Sequence, residues 1–268
     1  MPRHLNASKA IRTTATALAV AGLALGVSGC SKTPEPVPVS ATPNSVEVPV
    51  TAPGSPESSM APGNASELGY FDSTVLSSAM QQWANGIKGT IVNDQQELRK
   101  QLPAAQKWLE GVTVVPATCG LYGIGNLQDQ LEKSAVAAAV LPAANAGALT
   151  VAAYRDRDAL VADVAAQQHL DASCGTYSIT SDGQKVSYKL SSLDATSSAP
   201  FTAATLLESV NGKSKNQQIS IRAIDGNVMV SATRSVRKTP GESTALALAD
   251  VESMLTILRD LPESAPAS

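Results

Sequence analysis

Two Asp-Gly pairs, Asp182-Gly183 and Asp225-Gly226, limit the fold more than any other feature of this chain. Each sits between short runs of alternating character, "TYSITSDGQKVSYKL" and "QISIRAIDGNVMVSA". Asp-Gly suits a two-residue type I′ turn, whose central residues both need positive φ. Folding at Asp182-Gly183 pairs Ile179 with Val186 and Tyr177 with Tyr188. Folding at Asp225-Gly226 pairs Ala223 with Val228, Ile221 with Val230 and Ile219 with Ala232. Both registers gather apolar side chains on one face, as a half-buried antiparallel sheet requires. A further strand, "PFTAATLLESV", falls between the two hairpins. Upstream, "SAVAAAVLPA" and "GALTVAAY" read as two more strands joined around Asn145 to Gly147.

Helical patterns flank these strands. "STVLSSAMQQWANGI" puts Val75, Leu76, Ala79, Met80 and Trp83 on one helical face. "NDQQELRKQL" opens with a capping residue at Asn93 or Asp94, and Pro103 is expected to end that helix. A short apolar run, "GVTVVP", then leads to Cys119. "RDRDALVADVAAQQHL" predicts a helix capped by Asp156 or Asp158, with Leu160, Val161 and Val164 inward. "TPGE" fits a capping box with Pro at the first helical position, ahead of a stripe of Leu248, Val251, Met254, Leu255, Leu258 and Leu261. The expected class is α+β: an antiparallel β-sheet with helices packed on one face, the C-terminal amphipathic helix being the main lid. A ligand would then enter between sheet and helices, with Tyr177, Tyr188 and Phe201 as candidates to line its pocket. Core packing accounts for the same three rings, and for Trp83 and Trp108.

The front of the chain has a different character. Arg3, Lys9 and Arg12 precede "ATALAVAGLALG", about a dozen small and apolar residues, too short for a bilayer-spanning helix and suited to a signal-peptide core. Next comes "VSGC", ending at Cys30. This tetrapeptide resembles the lipobox of bacterial lipoproteins: an aliphatic residue, a small one, Gly or Ala, then Cys. The resemblance implies that residues 1–29 are removed and that Cys30 becomes a lipid-bearing N-terminus. A diacylglycerol thioether would then hold the chain to a membrane, since stable anchoring takes about two chains. Residues 31–66 contain Pro34, Pro36, Pro38, Pro43, Pro49, Pro53, Pro56 and Pro62, half of the chain's 16 prolines. Such a stretch reads as a disordered tether, reaching between about 30 Å as a coil and about 110 Å as a polyproline rod. A globular domain is expected over residues 67–262, with a disordered tail at 263–268.

Assigning Cys30 to a lipid leaves Cys119 and Cys174 of the three cysteines. In an exported domain an even pair reads as a disulfide, and closing a loop of about 56 residues contributes about 4 kcal/mol by chain entropy. A redox dithiol would show Cys-x-x-Cys spacing instead.

Little in the sequence points to catalysis. Loss of the leader makes the chain three units more negative than its full-length −3, so nothing suits a nucleic-acid backbone. With His4 gone, His169 alone remains for any triad or Cys-His pair, and no Gly-x-Ser-x-Gly occurs. No cofactor or metal is expected; "DRD" at Asp156 to Asp158 reads as a solvated helix start. "GLYGIGN" lacks both phosphate-loop patterns and reads as a turn after Cys119.

The order of features carries a broader likeness. "VPATC", two strands, a helix from "YRDRDA", "DASC", hairpins and a terminal amphipathic helix together resemble secreted lipoproteins of actinobacteria. More loosely, residues 112–262 resemble the extracellular sensor domain of mycobacterial serine/threonine kinase H. The resemblance implies an antiparallel sheet flanked by helices and a sensing or binding role. That domain has two disulfides and a Trp shortly before one cysteine; here one pair is available and His169-Leu170-Asp171 stands in that place. The expectation is a non-catalytic, lipid-anchored binding or sensor module on the outer face of the cell membrane, with an unidentified envelope ligand or protein partner. In a two-membrane host, Ser31 after Cys30 suits outer-membrane sorting. The alternatives are a carrier of an apolar or lipid ligand between sheet and helices and, third, an envelope hydrolase.

Overall fold

In the computed structural model, residues 67–119 and 127–262 are described. The alternating runs build nine strands: β1 (Ile91–Asn93), β2 (Val112–Val115), β3 (Ser134–Val140), β4 (Gly147–Tyr154), β5 (Thr176–Ser181), β6 (Gln184–Leu193), β7 (Phe201–Asn211), β8 (Ser214–Asp225) and β9 (Val228–Ser235). The helices are α1 (Ser73–Ala84), α2 (Gln95–Glu110), α3 (Leu127–Lys133), α4 (Arg157–Ser173) and α5 (Pro240–Arg259). All strands join one sheet in the order β1-β3-β4-β9-β8-β7-β6-β5-β2, with every pairing antiparallel. The α+β class, the antiparallel sheet, the C-terminal helix and the disulfide stand as expected.

The first hairpin folds as its sequence dictates. Asp182 and Gly183 take φ of 49° and 73°, and the register is Tyr177 to Tyr188 and Ile179 to Val186. The second is displaced by two residues. Asp225 pairs with Val228, so the turn is Gly226-Asn227, and Ala223, Ile221 and Ile219 face Val230, Ala232 and Arg234. The slip is even, so the same side chains still face the core. The reason is tertiary: the Asp225 carboxylate is committed to Arg259 and to the Leu68 N–H, both distant in sequence, and cannot serve as a turn residue. Gly226 takes φ of 57° and presses on the entering chain; a Cβ there would lie 2.0 Å from the Leu68 carbonyl oxygen. Asn227 completes the junction by donating its N–H to Leu68 O at 2.7 Å.

Helices cover both faces, more than the one-face expectation. Strand alternation makes the division legible. Ala135, Ala137 and Ala139 of β3, with Leu149 and Val151 of β4 and Ile219 and Ile221 of β8, pack under α1 and α5. Val136, Ala138, Ala152 and Tyr154 point the opposite way, against Leu98 of α2, Leu131 of α3, and Leu160 and Val164 of α4. Alanine on β3 brings helices close to the sheet. In α5, Val251, Met254, Leu255 and Leu258 are fully buried, each contributing about 1.5–3 kcal/mol.

Capping follows the sequence. Asp72 accepts from Thr74 and Val75 N–H, Asp94 from Glu97, Asp156 from Asp158, and Thr239 from Glu242. Pro103 departs from expectation: it lies inside α2, which runs on to Glu110. An interior proline costs about 3 kcal/mol. Leu98, Leu102, Ala105 and Leu109 continue one apolar stripe across it, and that burial offsets the lost hydrogen bond. The 17-residue α4 links β4 to β5, five strand positions apart. Its length of about 25 Å matches about 24 Å of sheet width.

Candidate functional site

The Cys119–Cys174 bond joins the turn after β2 to the end of α4, with Cα atoms 5.5 Å apart. It fastens edge strand β2 where the covering helix delivers the chain to β5.

The structure separates the three candidate pocket rings. Tyr177 and Tyr188 stack with centroids 5.0 Å apart and planes 10° from parallel. Ile179 and Leu207 join them, with Trp108 and Leu109 of α2 packed alongside. Burial pushes the Tyr177 phenol well above its ordinary range, and the Tyr188 phenol is raised by burial too. Phe201 lies elsewhere, packed against the α2–α4 core. His169 is an exposed residue of α4. "GLYGIGN" and Cys30 fall outside the described residues. Among the described residues, no group of three or more His, Cys, Asp or Glu is placed to hold a metal, and no helix is long and apolar enough to cross a membrane.

Behind the tyrosine pair, on the other side of the sheet, lies an open trough of about 610 Å³. α1 and α5 pack on the central strands of this face, and the β2-β5-β6-β7 end extends past them. Register places Val115, Ser178, Ser187, Val210 and Lys215 in one row across five strands. Lys185 stands on one side of that row; Lys189, paired with Glu208, stands on the other. Alternation turns the Tyr177 and Tyr188 rings away, so these two residues meet the trough through their main chain.

The trough is electrostatically uneven. Lys215 Nζ donates to Glu208 Oε1 at 2.7 Å and Gln217 Nε2 donates to the same oxygen at 2.6 Å. Lys215 first, then Gln217, holds the Glu208 carboxyl below the usual range. Lys185 and Lys189 are exposed, and neither has an ion-pair partner within 4.0 Å among the described residues. Val115 and Val210 are 57% and 42% exposed. Sequence reasoning missed this site because each lysine, taken singly, reads as the solvated face of a strand. The available signal was Lys185, Lys189 and Lys215 all falling on one face once the hairpins are drawn.

The fold and site define an α+β domain with one open, lysine-fringed sheet surface. No protein-family model matches the chain, and no curated protein matches it in sequence. Among solved structures it is similar to the extracellular domain of PknH from Mycobacterium tuberculosis. The identity is 12% and the TM-score 0.44, covering 70% of this chain and 93% of that one. It is also similar to the Rv0999 ortholog from Mycobacterium smegmatis, at 13% identity and TM-score 0.37, covering 71% and 100%.

Proposed function

We propose that this chain is a lipid-anchored, extracytoplasmic binding module: Cys30 carries the lipid, residues 31–66 form the tether, and the domain beyond it recognises a component of the cell envelope. The observation that carries the reading is the Cys119–Cys174 disulfide. It uses two of the three cysteines, suits an oxidising compartment, and leaves the thiol of "VSGC" as the odd one out. The positive, apolar and small-residue segments before Cys30 stand in the order that lipid attachment needs. The module's work is binding. Its open face offers ammonium groups and hydroxyls, with one carboxylate already engaged by Lys215 and Gln217.

Cys30→Ala tests the anchor. In a bacterial host that processes lipoproteins, the wild-type chain should fractionate with membranes. The variant should be released or stay unprocessed. A processed variant that still sediments with membranes would refute the reading.

A further inference from the structure

We infer that the trough on the β2-β5-β6-β7 face binds a linear, anionic glycan, one bearing carboxylates or phosphates at intervals along its length. This deepens the binding-module reading and rests on it.

The shape of the trough follows from its residues. Its floor is a row of small or short side chains, Val115, Ser178, Ser187 and Val210, running across the strands. From Val115 to Lys215 the row spans four strand spacings, about 19 Å. Long side chains fringe it. Lys185 and Lys189 flank Ser187 on β6, about 13 Å apart along the strand, and Lys215 closes the far end. A ligand lying in the row therefore passes between two ammonium groups and ends at a third, Lys215, which Glu208 already holds. That suits a linear molecule better than a compact ion.

Charge complementarity selects an anion. The strands that carry the trough and the connections between them hold Lys185, Lys189, Lys213, Lys215 and Arg222 against Asp182, Asp194, Glu208 and Asp225, a small positive excess in a chain whose overall charge is −3. Neither Lys185 nor Lys189 makes an ion pair within 4.0 Å among the described residues; Lys189 shares the field of its cross-strand neighbour Glu208, and Lys185 faces solvent.

The floor selects the kind of anion. Strand amides and carbonyls are spent within the sheet, so a peptide laid on this face would find few partners for its own backbone. Hydroxyls of Thr176 and Ser187 rise from the same surface and match a hydroxyl-rich chain. Along the row, the Lys185/Lys189 pair on β6 and Lys215 on β8 are two strand spacings apart, about 10 Å, against about 7 Å between alternate residues of an extended acidic peptide. One acidic group per two sugars fits that repeat better. A flat membrane would touch the lysine tips without reaching Ser178, which is 8% exposed on the floor.

The test uses the full chain and its Lys185→Glu/Lys189→Glu variant, with Lys88→Glu on the loop after α1 as control. Probes are hyaluronate, which carries one carboxylate per two sugars, poly(glycerol phosphate), neutral dextran, poly-glutamate and phosphatidylglycerol vesicles, followed by calorimetry or interferometry. We expect one or both anionic polyol polymers to bind, dextran not to bind, and the double reversal to weaken binding at least tenfold while the control does not. Equal binding by the double variant would overturn the assignment, as would tighter binding of poly-glutamate or of vesicles than of either polymer. Failure of both polymers, in a preparation that still binds isolated cell walls, would overturn the glycan assignment alone and leave the tethered-module reading intact.

Discussion

Arg259, in the last turn of α5, closes on Asp225 at the end of β8: Nη2 and Nε donate to Oδ2 at 2.6 and 3.1 Å. The other carboxylate oxygen accepts the Leu68 N–H at 3.4 Å. One buried side chain thus ties together the entering chain, the β8–β9 turn and the C-terminal helix. Arg259 also donates to the Ser198 side chain at 2.8 Å, and Ser198 donates in turn to Glu252 of α5.

Asp225→Ala should therefore loosen three elements at once. It strands a cation that is about one-third exposed and a backbone donor. The expected loss is about 2–3 kcal/mol, less than for a fully buried pair because water reaches the guanidinium. Urea unfolding checks it, and Asp225→Asn, which can still accept from Leu68, should cost less. An unchanged midpoint for Asp225→Ala would show that the junction does not hold the helix.

The disulfide makes a separate prediction. Cys119→Ser/Cys174→Ser removes a cross-link between residues 55 apart in sequence. Unfolding in the absence of reductant should show a loss approaching about 4 kcal/mol. Reductant should destabilise the wild type toward the variant and leave the variant unaffected.

The stacked tyrosines give a pH signature. Folding raises the Tyr177 and Tyr188 phenols, both chiefly by burial, and the neighbouring Tyr188 and Asp171 add to the rise at Tyr177. The folded state therefore holds these protons more tightly than the unfolded state. Their contribution is fully present below the ordinary phenol pKa of about 10 and is lost as pH rises through the folded values. Absorbance titration near 295 nm should show these two phenols ionising later than exposed ones. Tyr177→Phe and Tyr188→Phe should each remove part of the late phase; a wild-type curve with all phenols ionising together would contradict the buried stack.

Much of this architecture is legible in the sequence where the signal is local. Asp182-Gly183 specifies its hairpin because both positive φ values fall on adjacent residues. Asp94, Asp156 and Thr239 announce their helices because capping uses side chains within three residues. Legibility fails where a distant partner decides. Asp225 looks like a turn residue until Arg259, 34 positions away, claims its carboxylate. Pro103 looks like a helix end until the sheet beneath α2 repays the missing hydrogen bond. β1 has three residues, too few to show a period. β2 finds its partner β5 across more than 60 residues, so its edge position is invisible locally. The trough is harder still to see, since its row takes one residue from each of five strands.

Lipid attachment at Cys30 is open to one direct measurement. Intact-mass analysis of the protein purified from membranes of a lipoprotein-processing bacterial host reports the N-terminus, its modification and the thiols together. The expected species is a chain beginning at Cys30, heavier by a diacylglycerol group with or without a further acyl chain, and lighter by the two hydrogens of one disulfide. A chain beginning elsewhere, or beginning at Cys30 with an unmodified thiol, would contradict it.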